Sequence, residues 1–150
     1  MPKAQISLFF DSSALVAGAI SSQGASRALL NLAGAGYIDL LVTEQVIVET
    51  ERALARKAPK ALPAYREMIL STSAQILPDP PLSEVLMHQG IISHPVDVPI
   101  VVAAMRAKVD FLVTINRRHF IDDPDVANQS GLRIGPPDDA LEWVRAQLSY

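Results

Sequence analysis

The sequence predicts an α/β protein, a three-layer α/β/α sandwich with a mostly parallel central sheet. Short apolar runs alternate with stretches of helical spacing in the order β-α-α-β-α-α-β-α-α-β-α-β-α, which implies right-handed crossovers between parallel strands. An acidic or amide side chain recurs near these runs. Asp11 follows Ile6-Ser7-Leu8-Phe9-Phe10, Glu49 lies beyond Asp39-Leu40-Leu41-Val42-Thr43, and Asn116 closes Phe111-Leu112-Val113-Thr114-Ile115. With 150 residues, 49% of them hydrophobic, the chain can bury a core without staples, and residues 1–150 read as one domain.

Each element has a local reason. Gln5 to Phe10 is short, β-branched and aromatic with polar flanks, so it reads as a buried strand. Asp11-Ser12-Ser13 can cap a helix through Ala14–Ile20, and a second helix over about Ser22–Ala35 ends at Gly34 and Gly36. Ile38–Val42 is the second strand. Thr43 then caps a helix running to about Arg56, with Glu44 beside its positive end. A further helix spans roughly Pro59–Ser73, and Ala74–Leu77 is a short strand. Pro78-Asp79-Pro80-Pro81 must be a loop. Ser83–Gly90 reads as a short helix capped by Ser83. Pro99 opens one that is apolar nearly all round over Ile100–Met105 and therefore buried. Asp110–Ile115 and Leu132–Ile134 are the last strands, and Asp138–Leu148 is a terminal amphipathic helix after Pro136-Pro137.

Composition narrows the class. There is no cysteine, hence no disulfide framework and no thiolate-bound zinc, as suits a cytoplasmic protein. Met1-Pro2-Lys3 leads straight into the first strand, so no signal peptide is expected. No run approaches the roughly 18 apolar residues of a membrane span. The net charge of −3 does not advertise a nucleic-acid binder, yet without Asp11, Glu49 and Asp97 the balance would be neutral. Composition is therefore silent on partner.

If the runs are parallel strands, their carboxyl ends lie together, where open α/β folds build their sites. Carboxylates gathered there repel one another unless a divalent cation neutralises them, which points to a hard-metal site and phosphodiester hydrolysis. Each acid also has a plainer explanation. Asp11 and Asp97 can be helix caps, and Glu49 can belong to an exposed ion-pair stripe with Arg52 and Arg56.

Taken together, the motifs resemble the PIN domain family. Asp11-Ser12-Ser13 after a hydrophobic strand is similar to that family's N-terminal motif, and Glu49 to its glutamate. Asp97-Val98-Pro99-Ile100-Val101-Val102-Ala103-Ala104 and Asp110-Phe111-Leu112-Val113-Thr114-Ile115-Asn116-Arg117-Arg118-His119-Phe120 are similar to its C-terminal half. The resemblance covers about Ile6 to Ile134. It implies a Mg²⁺- or Mn²⁺-dependent ribonuclease, with Asp11, Glu49 and Asp97 as metal ligands, Ser13 supporting them and Asn116 completing the catalytic set. Asn116 departs from the pattern, because many members carry a fourth acid there. Three negative charges favour one tightly bound metal over two. Asp110, at the far end of its strand, lies nearly 20 Å from the site at about 3.3 Å per residue. Asp122 is a better placed substitute.

Arg117 and Arg118 follow the site strand immediately and, with His119, Arg52 and Arg56, are candidates to grip a phosphate backbone. A solvated turn is the alternative. His88 and His94 have no partners at metal spacing and read as structural or surface residues. Trp143 reads as a core or interface anchor. The resemblance further implies the toxin of a type II toxin–antitoxin pair (the VapC type), an antitoxin partner and a symmetric homodimer. An RNA-processing nuclease without antitoxin, or a nucleic-acid-binding module that has lost catalysis through Asn116, are the rival readings. A phosphotransfer receiver domain needs an adjacent acidic pair after the first strand and a Lys after the last; neither is present.

Overall fold

The computed structural model describes residues 6–149, and within it five strands run parallel in one sheet. They are β1 (Ser7–Phe10), β2 (Asp39–Thr43), β3 (Gln75–Leu77), β4 (Phe111–Val113) and β5 (Ile134–Gly135), in the spatial order β3-β2-β1-β4-β5. Gln5 and the Met1-Pro2-Lys3 leader lie outside the described residues. Leu8, Phe9 and Phe10 of β1 are all fully buried, as a strand covered on both faces requires. Each such side chain contributes about 1.5–3 kcal/mol. The outer edge is different: Gln75 and Ile76 of β3 are exposed.

Among the described residues eight α-helices cover the sheet: α1 (Ser12–Ile20), α2 (Ala25–Gly34), α3 (Glu44–Lys57), α4 (Leu62–Ser71), α5 (Leu82–Met87), α6 (Val98–Ala107), α7 (Pro124–Ser130) and α8 (Pro137–Leu148). The first four pack around α1 on one face and α8 joins them through α2, while α6 packs between α5 and α7 on the other. This is the expected three-layer sandwich, with the sheet wholly parallel. Gly18 sits at the crossing of α1 on α2, where a Cβ would meet Leu30 Cδ1 at 2.5 Å and push that side chain aside. The apolar helix α6 is buried over Ile100–Ala104, as its composition predicts.

Boundaries moved where caps were misjudged. Ser83 does not cap α5; it lies inside that helix, which begins after Pro81 without a side-chain cap. The stretch Pro59–Ala61 is a 3-10 turn leading into α4, and Gly24 rather than Ser22 precedes α2. The last strand sits at Ile134–Gly135, later than Leu132, because Leu112 N–H already bonds the Arg133 carbonyl and Thr114 N–H the Gly135 carbonyl.

Candidate active site at the carboxyl end of the sheet

The connections run from β1 through β2 to β3 on one side and from β4 to β5 on the other. The sheet therefore has its topological switch point between β1 and β4. Phe10 pairs with Val113 there, and Asp11 N–H continues the ladder to the Val113 carbonyl at 3.1 Å. This register sets Asp11 beside Thr114.

Asp11 does two things at once. It caps α1, its Oδ1 accepting from Ala14 N–H at 3.0 Å, and it is buried at 6% exposure. Oδ1 also accepts from Ser13 Oγ at 2.7 Å, and Oδ2 accepts from the Thr114 hydroxyl. Ser13 Oγ in turn accepts from Ile115 N–H at 3.0 Å, and Thr114 Oγ1 from Asn116 N–H at 3.0 Å. Burial pushes the Asp11 carboxyl up to about 6; the bonds from Thr114, Ser13 and Ala14 oppose that rise and the charge of Asp97 adds to it. Ser13 thus supports Asp11 as expected. Thr114 was missed, because within a Val-Thr strand it reads as an ordinary β-branched residue.

Asp97 stands at the N-cap position of α6 but makes no capping bond. Its Oδ2 lies 3.2 Å from His119 Nδ1 instead. Burial raises its pKa while His94 and His119 oppose the rise. His94 stacks on His119 with ring centroids 4.4 Å apart. One ligand atom from each of His94, Asp97 and His119 lies within 4.8 Å of the others, which corrects the expectation that His94 lacks partners at metal spacing. Sequence spacing could not show this, since 25 residues and α6 separate the two imidazoles. His88, by contrast, turns Nδ1 to the Glu84 carbonyl at 2.9 Å and is structural.

Among the described residues Glu49 makes no ion pair with Arg52 or Arg56. Its Oε2 accepts from Gln45 Nε2 at 3.2 Å, and the same amide reaches the Val96 carbonyl at 3.1 Å, tying α3 to the turn that carries Asp97. Asn116 caps the π-type turn Arg117–Ile121 through His119 N–H at 3.1 Å, with its Nδ2 3.0 Å from His119 Nδ1. Its carbonyl oxygen is thus engaged in holding His119. Asp122 lies 4.0 Å from Arg117 Nε on the exposed surface. Asp110 accepts from Ser7 N–H at 2.8 Å at the opposite end of β4, away from the site. Arg52, Arg56 and Arg118 are exposed and, among the described residues, make no ion pair. Trp143 is half-buried against the core, with the Arg133 guanidinium 4.6 Å above its ring.

The site fits a divalent cation on its own electrostatics. The charge of half-buried Asp97 raises the proton affinity of buried Asp11, and among the described residues Asp11 makes no ion pair with a cationic side chain. Three hydrogen bonds occupy three lone-pair sites of Asp11 and leave about one free. Asp11 and Glu49 nevertheless stand outside the His94–Asp97–His119 group of ligand atoms.

A parallel α/β sheet with a buried and a half-buried carboxylate at its switch point defines a class of domain with an acidic site at the strand ends. Within that class the chain belongs to the PIN domain family, whose family model matches residues 7–118. Its fold is similar to PAE2754 from Pyrobaculum aerophilum, with 21% identity over 95% of this chain and 98% of that one and a TM-score of 0.62. VapBC2 from Rickettsia felis bound to a DNA fragment from its promoter gives 16% identity, coverages of 87% and 98%, and a TM-score of 0.61. DNA-bound VapBC from Salmonella typhimurium gives 15%, 89% and 99%, and 0.63. No functionally curated protein matches the chain. Among the described residues no helix is long and apolar enough to cross a membrane.

Proposed function

We propose that this chain is a Mg²⁺- or Mn²⁺-dependent endoribonuclease, acting as one domain over residues 1–150 in the cytoplasm and serving as the toxin of a toxin–antitoxin pair. One observation carries the reading: at the switch point Asp11 is buried, gripped by Ser13, Thr114 and Ala14, and close enough to Asp97 for each charge to disfavour the other. Family membership supports it. Asp11, Asp97 and, from α3, Glu49 would hold the cation. A divalent cation supplies Lewis acidity toward a phosphoryl oxygen and lowers the pKa of water.

The chain's own residues orient that centre. Ser13 and Thr114 fix both oxygens of Asp11, Gln45 fixes Glu49, and Asn116 fixes the turn behind Asp97. Arg118 and Arg52, exposed and unpaired among the described residues, are free to meet an RNA backbone, with Arg117 adjoining Arg118 in the chain. The VapBC likeness supports an antitoxin partner, and the exposed Leu82, Leu86 and Met87 of α5 support association into a homodimer. Single-stranded RNA incubated with the purified chain should be cleaved in Mg²⁺ or Mn²⁺ and spared with EDTA. Asp11→Asn and Asp97→Asn should reduce cleavage to the protein-free background. Wild-type rates in both variants would remove the assignment.

A further inference from the structure

We propose that His94, Asp97 and His119 form a binding site for a transition-metal dication such as Zn²⁺ or Co²⁺, an ion class distinct from the hard cation of the centre on Asp11, Asp97 and Glu49. One nitrogen from each imidazole and one Asp97 oxygen already lie within 4.8 Å of one another. Donors sharing one ion at metal–ligand distances near 2.1 Å are separated by about 3.0–3.4 Å. The contraction needed is small, and His94, which is exposed, can supply it by side-chain rotation.

The donor set decides which ion. Mg²⁺ demands an octahedron of oxygens and gives up its waters reluctantly. Two imidazoles and one carboxylate suit zinc, cobalt or iron instead, with positions left open for water. The surroundings hold the donors in place. Asn116 Oδ1 accepts from the His119 main-chain N–H and so pins the turn that carries this imidazole. Gln45 grips the Val96 carbonyl beside Asp97, and His94 lies against the His119 ring with the planes 27° apart. Asp97 alone is shared with the proposed nuclease centre, so a transition ion here would withdraw that carboxylate from Mg²⁺.

The test is titration of the full chain with Co²⁺, read by its visible absorption, and with Zn²⁺ by calorimetry. One equivalent should bind, and excess Mg²⁺ should leave the Co²⁺ spectrum in place. His94→Ala, His119→Gln and Asp97→Asn should each weaken Co²⁺ binding at least tenfold, whereas Asp11→Asn should weaken it far less. His94→Ala alters an exposed side chain and keeps the test valid if His119→Gln disturbs the turn. Unchanged Co²⁺ affinity in His94→Ala and a folded His119→Gln would overturn the proposal, as would equal loss in Asp11→Asn, which would put the ion on the acidic centre. Failure here is separable from failure of the nuclease reading. Histidine-dependent Co²⁺ binding in a chain that cleaves no RNA would leave this site standing alone. Cleavage with no histidine-dependent binding would remove only this site.

Discussion

Asp11 and Asp97 serve the same end of the sheet but are held by different kinds of structure. Asp11 is gripped by main chain and by hydroxyls that the β1–β4 register delivers, and it is almost fully buried. Asp97 sits on a 3-10 turn, keeps 17% of its side chain exposed, and takes its partners from side chains of another turn. The first arrangement is rigid and electrostatically costly; the second is open and adjustable. A carboxylate held by a strand end keeps its place whatever binds, while one held by imidazoles can exchange them for an ion.

The largest expected effect breaks the first arrangement. Because Asp11 titrates near 6 in the folded chain against an ordinary value of 3.8, folding takes up a proton in that range. Its stabilising contribution is therefore complete below about pH 4 and lost as pH rises through 6, amounting to about 3 kcal/mol. Asp97, also raised, acts in the same direction. Metal-free wild type minus Asp11→Asn, compared by denaturant unfolding between pH 4 and 7.5, should isolate the Asp11 share. The variant should gain on wild type as pH rises, and a flat difference would contradict the burial account.

Next is Thr114→Val, which keeps the shape but leaves an Asp11 oxygen and Asn116 N–H short of a partner. It should cost about 1–3 kcal/mol and push the Asp11 titration, followed by NMR, still higher. A smaller change sharpens the comparison from the other side. Asn116→Asp retains an oxygen for His119 N–H and adds a charge to the turn behind Asp97, so calorimetry should show roughly tenfold tighter Mn²⁺ binding, about 1.4 kcal/mol. Unchanged affinity would mean that Asn116 serves only to hold His119. The smallest expected effect is His94→Ala on metal-free stability, within about 0.5 kcal/mol by thermal unfolding, because the side chain is exposed.

Much of this architecture is legible in the amino-acid sequence. A run such as Leu8-Phe9-Phe10 can only be buried on both faces, Thr43 and Asp11 are natural helix caps, and an apolar helix such as Ile100–Met105 must lie under others. Those are local consequences of side-chain chemistry, and they specified the element order, the parallel sheet and the acids near its strand ends. Ser83 shows the limit of local signals: a good capping residue does not cap when the helix already starts after Pro81, two residues earlier.

Only the tertiary structure decided which groups touch. Thr114 became a partner of Asp11 because parallel pairing set Phe10 against Val113, and His94 met His119 because α6 folds back to bring two turns together. Such contacts join residues roughly 25 to 100 positions apart, where neither propensity nor periodicity carries information. Apolar periodicity tells a segment to be buried, and backbone sterics tell it how to run. The placement of one polar side chain against another waits on the register and packing of elements that are distant in the chain.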